Sequence, residues 1–329
     1  MLVTGGWLPS GSSVSARDRT RCVSFFLGID GGGTKTECVV GDEERVLGSS
    51  IGSTIKIKKV GKIAAGQALE TAIAEACRSA KVAQRDITRT CIGIAGSSIP
   101  EVTDWTYSVL KQLVSGEVQV VNDALIAHRA AFLGGAGVLV IAGTGSNVLG
   151  INDRGESDRA GGWGPMISDE GSGFWIGRRA IAHAMRAYDG KQPTSLLDAV
   201  MKAWDLSTIE ALVSIANSNP PPDFSSLLPA VLRCAEGGDE SASEILDSAA
   251  NELAQLASIV IRKLWPDSAE VDVAVTGGVF VHSPQIRQMF AKLVSAEHSG
   301  VTVKLEPVHP VMGALSMARQ RNSVSVTSG

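Results

Sequence analysis

The residues best suited to chemistry are three carboxylates and two glycine-threonine turns. The first turn, Asp30-Gly31-Gly32-Gly33-Thr34-Lys35-Thr36, follows the apolar run Ser24 to Ile29. Its glycines let backbone approach a ligand and aim successive N–H groups at it. Thr34 and Thr36 add hydroxyl donors, and together these are what phosphate oxygens need. A P-loop places Lys directly after its last Gly, whereas Thr34 separates Gly33 from Lys35. A dinucleotide fingerprint has Gly where Thr36 stands and a helix beyond it, whereas Glu37-Cys38-Val39-Val40 reads as a strand. Alone, the segment is equally a glycine-rich hairpin turn. The second turn favours phosphate: Gly143-Thr144-Gly145-Ser146 follows Val140-Ile141-Ala142 on the same plan. The repeat falls about 110 residues later, which suits two related domains facing each other across a cleft.

Asp123 follows Asn122 at the end of an expected strand, Val118 to Val121. Open α/β sheets bind ligands at such strand ends. A carboxylate there can accept the proton of a hydroxyl as it attacks a phosphoryl group. Asp123 also precedes Ala-Leu-Ile-Ala as a good helix N-cap, and on this motif alone the cap is the favoured reading. The roles are compatible, and a helix N-terminus would keep the carboxylate ionised. A third motif runs Gly161-Gly162-Trp163-Gly164 to Asp169-Glu170-Gly171-Ser172-Gly173. Trp163 offers an apolar wall, and Asp169 and Glu170 offer acceptors for paired hydroxyls, the needs of a sugar site. Ser168 or Asp169 could instead cap a helix beginning at Phe174, but capping leaves the density of glycines unexplained. Thr276-Gly277-Gly278, after a buried-type strand, can admit a base or ribose or simply turn the chain. None of the five His clusters with Cys or carboxylates at metal-ligand spacing.

These groups need a scaffold of strands and helices. Strand-like runs are Ser24 to Ile29, Glu37 to Val40, Thr90 to Ala95, Val118 to Val121, Val138 to Ala142, Asn147 to Ile151, Val271 to Thr276 and Val301 to Leu305. Helical spacing marks Ala64 to Ala80, Trp105 to Leu113, Ala124 to Phe132, Phe174 to Tyr188, Ser195 to Ala203, Thr208 to Ala216, Ser225 to Ala235, Ala242 to Leu264, Gln285 to Ala296 and Val311 to Arg319. The alternation implies an α/β class. A length of 329 residues implies more than one core. With 44% apolar residues and a net charge of −4, a packed globular protein is expected, with neither nucleic acid nor membrane as the main partner. The five cysteines are odd in number and include no C-x-x-C pair, which disfavours a disulfide framework or zinc site and suggests a reduced, cytoplasmic setting. Residues 1–23 show no periodicity and read as a flexible extension.

As an ordered set these segments resemble the BadF/BadG/BcrA/BcrD ATPase family, in its N-acetylglucosamine kinase-like branch of the actin-like ATPases. Gly28 to Thr36 is similar to the first phosphate motif, Val121 to Ala124 to the catalytic Asp segment, and Ala142 to Asn147 to the second phosphate motif. Gly161 to Ser172 is similar to the sugar loop, Thr276 to Val279 to the adenosine motif, and Pro310 to Ala314 to the closing helix. The resemblance implies two ribonuclease H-like domains hinged around a nucleotide cleft. One spans residues 24–124, with helix 310–321 packing back on it; the other spans 125–309 and carries a helical insertion. It implies ATP and Mg²⁺ as cofactors and an amino sugar phosphorylated at its 6-hydroxyl, and it leaves room for a homodimer. Asp123 would be the general base, with Asn122, Gly162, Trp163 and Asp169 at the sugar. Gly32, Gly33, Thr34, Lys35, Thr144, Gly145, Ser146, Gly277 and Gly278 would hold ATP, and Asp30 would orient Mg²⁺ through water. Activator ATPases of the same family, which hold an iron–sulfur cluster through Cys, are the rival class. This chain has the sugar loop and no suitable Cys near its glycine-rich segments. One departure concerns the acceptor. Family sugar kinases carry a substrate-contacting Asn soon after the first hairpin, whereas Gly52 to Lys59 has none. Ile55 to Val60 alternates apolar and basic residues like an edge strand with solvated lysines; alternatively, Lys56 reaches the cleft.

Overall fold

The structure, a computed structural model, describes residues 24–265 and 270–320. The expected extension at 1–23, Cys22 and residue 321 lie outside the described residues. The chain builds two five-stranded mixed sheets with helices packed on them. The first contains β1 (Phe25–Gly31), β2 (Lys35–Gly41), β3 (Val46–Ser53), β4 (Ile87–Ile94) and β5 (Glu117–Asn122), in the order β3-β2-β1-β4-β5. β1 and β2 form an antiparallel hairpin, and β4 and β5 run parallel to β1. The runs Phe26 to Ile29 and Cys91 to Ile94 are buried, as expected where helices cover both faces of a sheet.

On one face lies α1 (Ile57–Ala80), packing Leu69 and Ile73 with Leu27 and Ile29. On the other lie α3 (Asp123–Phe132) and the last helix, α11 (Pro310–Arg319), with Ile126, Ala314 and Leu315 around Phe26 and Cys91. Two glycines permit that approach. A Cβ on Gly28 would lie 2.4 Å from the Leu315 nitrogen, and one on Gly313 would lie 1.8 Å from the Ile126 carbonyl oxygen. Arg89 of β4 ties the end of α11 down, donating to the carbonyls of Ala318 (2.8 Å) and Arg319 (2.7 Å).

The second sheet runs β10-β9-β6-β7-β8, from β6 (Gly137–Ala142), β7 (Ser146–Ile151), β8 (Ser157–Gly161), β9 (Val271–Thr276) and β10 (Val301–Lys304). β6 and β7 repeat the antiparallel hairpin of the first sheet. Its large core is built mainly from α4 (Gly173–Gly190) and α8 (Glu240–Leu264), the latter burying Ile245, Leu246, Leu253 and Ile261. Each such side chain removed from water contributes about 1.5–3 kcal/mol. The helix α3 serves both sheets: Ile126 joins the first core, while Ala127 packs with Leu139 and Ala274 of the second.

Several elements differ from expectation. The edge strand expected around Ile55 to Val60 is the start of α1, which begins at Ile57 and continues through a non-helical Gly61 (φ 81°). The edge strand of the first sheet is instead β3, and β8 forms an edge of the second; both are polar enough to escape a search for apolar runs. α2 (Pro100–Leu113) begins five residues early, where Pro100 suits a first turn that needs no N–H. The helix expected from Ser225 opens as a 3₁₀ turn, Phe224–Leu227, before α7 (Leu228–Glu236). Gly278 starts a short helix, α9 (Gly278–His282), rather than ending a simple turn.

Candidate active site

Strand register brings the singled-out residues together. Gly31 pairs with Ile94, and Ile94 with Asn122, so Asp30 and Asp123 sit at the same C-terminal edge of the first sheet. In the second sheet Ile141 pairs with Thr276, which sets the turn at 143–145 beside Gly277. The sheets meet at these edges: Thr34 Oγ1 and Thr144 Oγ1 lie 3.4 Å apart across 110 residues of chain. The two glycine-threonine turns therefore face each other.

The cap of α3 is Asn122, not Asp123. Asn122 Oδ1 accepts from the Ala124 N–H at 2.9 Å, while Asp123 is the first helical residue. Asp123 Oδ1 accepts from the same N–H at 2.9 Å. Burial raises the pKa of Asp123, while the backbone hydrogen bonds at the helix start and the Lys56 charge oppose that shift. Asp30 is pushed up to about 7, chiefly by burial, then by the charges of Asp123 and Glu37, with Lys35 opposing.

Asp169 caps nothing. Ser172 is the N-cap of α4, accepting from the Trp175 N–H at 3.2 Å. Asp169 is buried, and its backbone is left-handed at φ 68°. Its Oδ1 faces the Ser146 N–H at 3.4 Å, and a Cβ on Gly145 would lie 2.9 Å from its Oδ2. Burial raises its pKa, Glu170 adds to the rise, and the Ser146 N–H and Lys56 oppose it. The sugar-type loop is thus docked directly on the second turn. Ser146 completes the junction by donating to the Glu170 carbonyl at 2.7 Å, so its hydroxyl faces the loop.

Other expected contacts are placed differently. Thr36 is fully buried and donates to the Ser53 carbonyl at 2.8 Å, which makes its hydroxyl structural. Thr276 likewise donates to Val308 at 2.9 Å. The Lys35 ammonium pairs with Glu37. A Cβ on Gly32 would meet the Lys35 carbonyl at 2.9 Å, whereas one on Gly33 would come within 3.8 Å of the Thr144 hydroxyl. Gly277, at φ 100°, lies against the Ala142 carbonyl, and a Cβ on Gly278 would meet the His282 ring at 3.9 Å, an ordinary contact. Gly162, at φ 73°, lies against Asn147. Trp163 is 61% exposed with the Arg159 guanidinium 4.8 Å over its ring, so it forms no enclosed wall.

Two contributors went unassigned in the sequence. Asn147, which pairs with Gly161 across β7 and β8, holds its Oδ1 buried without a hydrogen-bond partner beside Gly162. A buried acceptor of this kind is suited to a ligand N–H or O–H. The other is the ion pair Lys59 Nζ–Asp223 Oδ2, 3.2 Å, which joins α1 to the segment before α7. The four described cysteines, Cys38, Cys77, Cys91 and Cys234, are free and buried.

The model of one protein family matches residues 27–318, nearly the whole described chain. The chain belongs to the BadF/BadG/BcrA/BcrD ATPase family. It is 31% identical over 312 residues to the N-acetyl-D-glucosamine kinase of Dictyostelium discoideum, covering 89% of this chain and 97% of that protein. It is 28% identical over 302 residues to the N-acetylmuramic acid/N-acetylglucosamine kinase of Clostridium acetobutylicum, covering 90% and 99%. Among solved structures, a protein from Chromobacterium violaceum assigned as an N-acetylglucosamine kinase superposes with a TM-score of 0.73 at 24% identity, covering 91% of this chain and all of that one. These relatives place the chain in the N-acetylglucosamine kinase-like branch, with the two-domain fold of actin-like sugar kinases.

Proposed function

We propose that this protein is an ATP-dependent kinase that phosphorylates an amino sugar, foremost N-acetylglucosamine, at its 6-hydroxyl. The observation that carries the reading is the convergence of two threonine turns on one point, with Asp123 at the adjoining strand end. The 3.4 Å between the threonine hydroxyls marks where phosphate oxygens would be gripped from both sheets. Asp123 would take the proton of the attacking hydroxyl, and its raised pKa makes it a stronger base than an exposed Asp. Asp169 and Asn147 would accept from sugar hydroxyls or the amide. Gly277 and Gly278 would lie along the nucleoside. The division into domains at residue 124, with α11 returned to the first, is part of this reading and is supported by the packing of α11 on β1.

Among the described residues no group of three or more His, Cys, Asp or Glu forms a metal cage, so a divalent cation would be held by Asp30 beside Asp123 together with phosphate oxygens and water. Burial first, then the charges of Asp123 and Glu37, raises Asp30 to about 7, and a nearby cation would relieve the charge part of that shift. Asp30 would hold Mg²⁺ through water, and bound Mg²⁺ would neutralise phosphate charge. The four buried, free cysteines support a reduced, cytoplasmic setting. No described helix is long and apolar enough to cross a membrane.

The test is a coupled ADP assay over N-acetylglucosamine, N-acetylmuramic acid, glucosamine and glucose, with the product phosphate located by NMR. Sugar-dependent ADP release and a 6-phosphate are expected. ATP hydrolysis indifferent to every sugar would instead favour an activator-type ATPase.

A further inference from the structure

We infer that Lys56 sets the charge of the acceptor: it admits amino sugars that are neutral or carry a carboxylate and disfavours those with a free, cationic amine. This rests on the amino-sugar reading above and names the class of sugar that the same site takes.

The backbone of Lys56 is held beside the first turn, and its side chain is exposed. Its N–H donates to Thr54 Oγ1 at 3.2 Å, and Thr54 Oγ1 donates to the Gly32 carbonyl at 2.9 Å, so it is tied to the first turn. It stands at the N-cap of α1, and the Lys59 N–H donates to its carbonyl at 2.8 Å. Lys59 reaches Asp223, 164 residues away in the half of the chain that carries the second sheet, so its face of α1 looks across the cleft. Lys56 precedes that face by three residues, just outside the helix with extended backbone (ψ 100°), on the side tied to the first turn. The carboxylates of Asp123 and Asp169, one from each sheet's edge, both feel its charge.

The neighbouring lysines are otherwise engaged. Lys62 pairs with Glu101 at 2.7 Å, Lys58 acts on the same Glu101, and Lys59 pairs with Asp223. Lys56 joins no ion pair within 4 Å among the described residues, so its three N–H donors remain for a ligand. An ammonium can donate to a hydroxyl, an acyl carbonyl or a carboxylate, but it repels another ammonium. Where the acceptor lies between Asp123 and Asp169, that repulsion offsets the attraction the two carboxylates offer a cationic sugar.

The experiment compares kcat/KM for N-acetylmuramic acid, N-acetylglucosamine and glucosamine at pH 6.5, where the glucosamine amine is charged. The enzymes are wild type, Lys56→Met, Lys56→Arg and Lys58→Met. Ratios between acceptors cancel any change that Lys56 makes to Asp123. Wild type is expected to favour both N-acetyl sugars over glucosamine. Lys56→Met should lower both ratios to glucosamine by about tenfold, most for the carboxylate-bearing sugar. Lys56→Arg should restore them, and Lys58→Met should keep wild-type ratios. Unchanged ratios in an active Lys56→Met overturn the inference and leave the kinase reading standing. If wild type binds ATP but phosphorylates no amino sugar, the kinase reading itself fails, and the inference with it.

Discussion

Gly145→Ala is a small perturbation with a calculable consequence. Gly145 lies in the turn between β6 and β7 and is not among the glycines with positive φ, so alanine fits its backbone. The new Cβ would stand 2.9 Å from Asp169 Oδ2 and 3.1 Å from its Cγ, where ordinary contact begins at 3.4 Å. The carboxylate must therefore retreat by about half an ångström. Asp169 has little room to do so, being 6% exposed and fixed in a left-handed backbone. A misplacement of about 1 Å at a reacting centre can cost about a hundredfold, so half of it should lower kcat/KM for the sugar by about tenfold. The assay varies sugar at saturating ATP and then ATP at saturating sugar. Gly143→Ala, whose Cβ meets no protein atom within 4 Å, is the control and should leave the sugar KM unchanged. A Gly145→Ala enzyme within twofold of wild type for the sugar would refute the placing of Asp169 at the acceptor.

Four further substitutions test the rest of the site. Asn122→Ala removes the α3 cap and should cost up to about 1 kcal/mol in denaturant unfolding, because Asp123 Oδ1 still accepts from the Ala124 N–H. An unchanged unfolding midpoint would leave the cap without energetic weight. Asp30→Asn should raise the melting temperature of ligand-free protein above pH 7. The Asp30 pKa is about 7 folded against 3.8 ordinarily, so this group's stability is full below pH 3.8 and lost as pH rises through 7. The gain on substitution should grow over that window to a few kcal/mol at most and vanish near pH 3.8; a melting difference that ignores pH would contradict it. Thr34→Val and Thr144→Val should each lower kcat/KM for ATP by about tenfold. Because the hydroxyls are 3.4 Å apart, the double variant should lose less than the product of the two, and strict additivity would mean the turns do not act on one group.

Much of this site was legible because its parts are local. Three consecutive glycines followed by Thr34 identify a turn, and the same plan at Gly143 to Ser146 identifies its partner. Strand–Asp–helix order places Asp123 at a sheet edge without knowledge of the partner strands. What escaped was either polar or distant. β3 and β8 carry little apolar signal, and Ile55 to Val60 mimics a strand because charge alternates with apolar residues over a window too short to show the helical period. Asn and Asp both make good caps and both accept from the Ala124 N–H, so only the backbone decides: Asn122 is extended (ψ 141°) and Asp123 is the first helical residue. Ser172 took the cap expected of Ser168 or Asp169, because the left-handed backbone at Asp169 turns its side chain towards Ser146. The Lys59–Asp223 pair spans 164 residues, and no local pattern announces it.

The central claim is that Asp123 accepts the proton of a sugar hydroxyl as it attacks ATP. The most direct measurement is single-turnover phosphorylation of N-acetylglucosamine by Asp123→Asn, alongside ATP binding by calorimetry and a melting curve. The substitution keeps the side chain's shape and removes a carboxylate whose pKa burial has raised, so folding and ATP affinity should hold. The phosphoryl-transfer rate should fall by about two to four orders of magnitude. A variant that binds ATP, melts like wild type and transfers phosphate at near the wild-type rate would contradict the account.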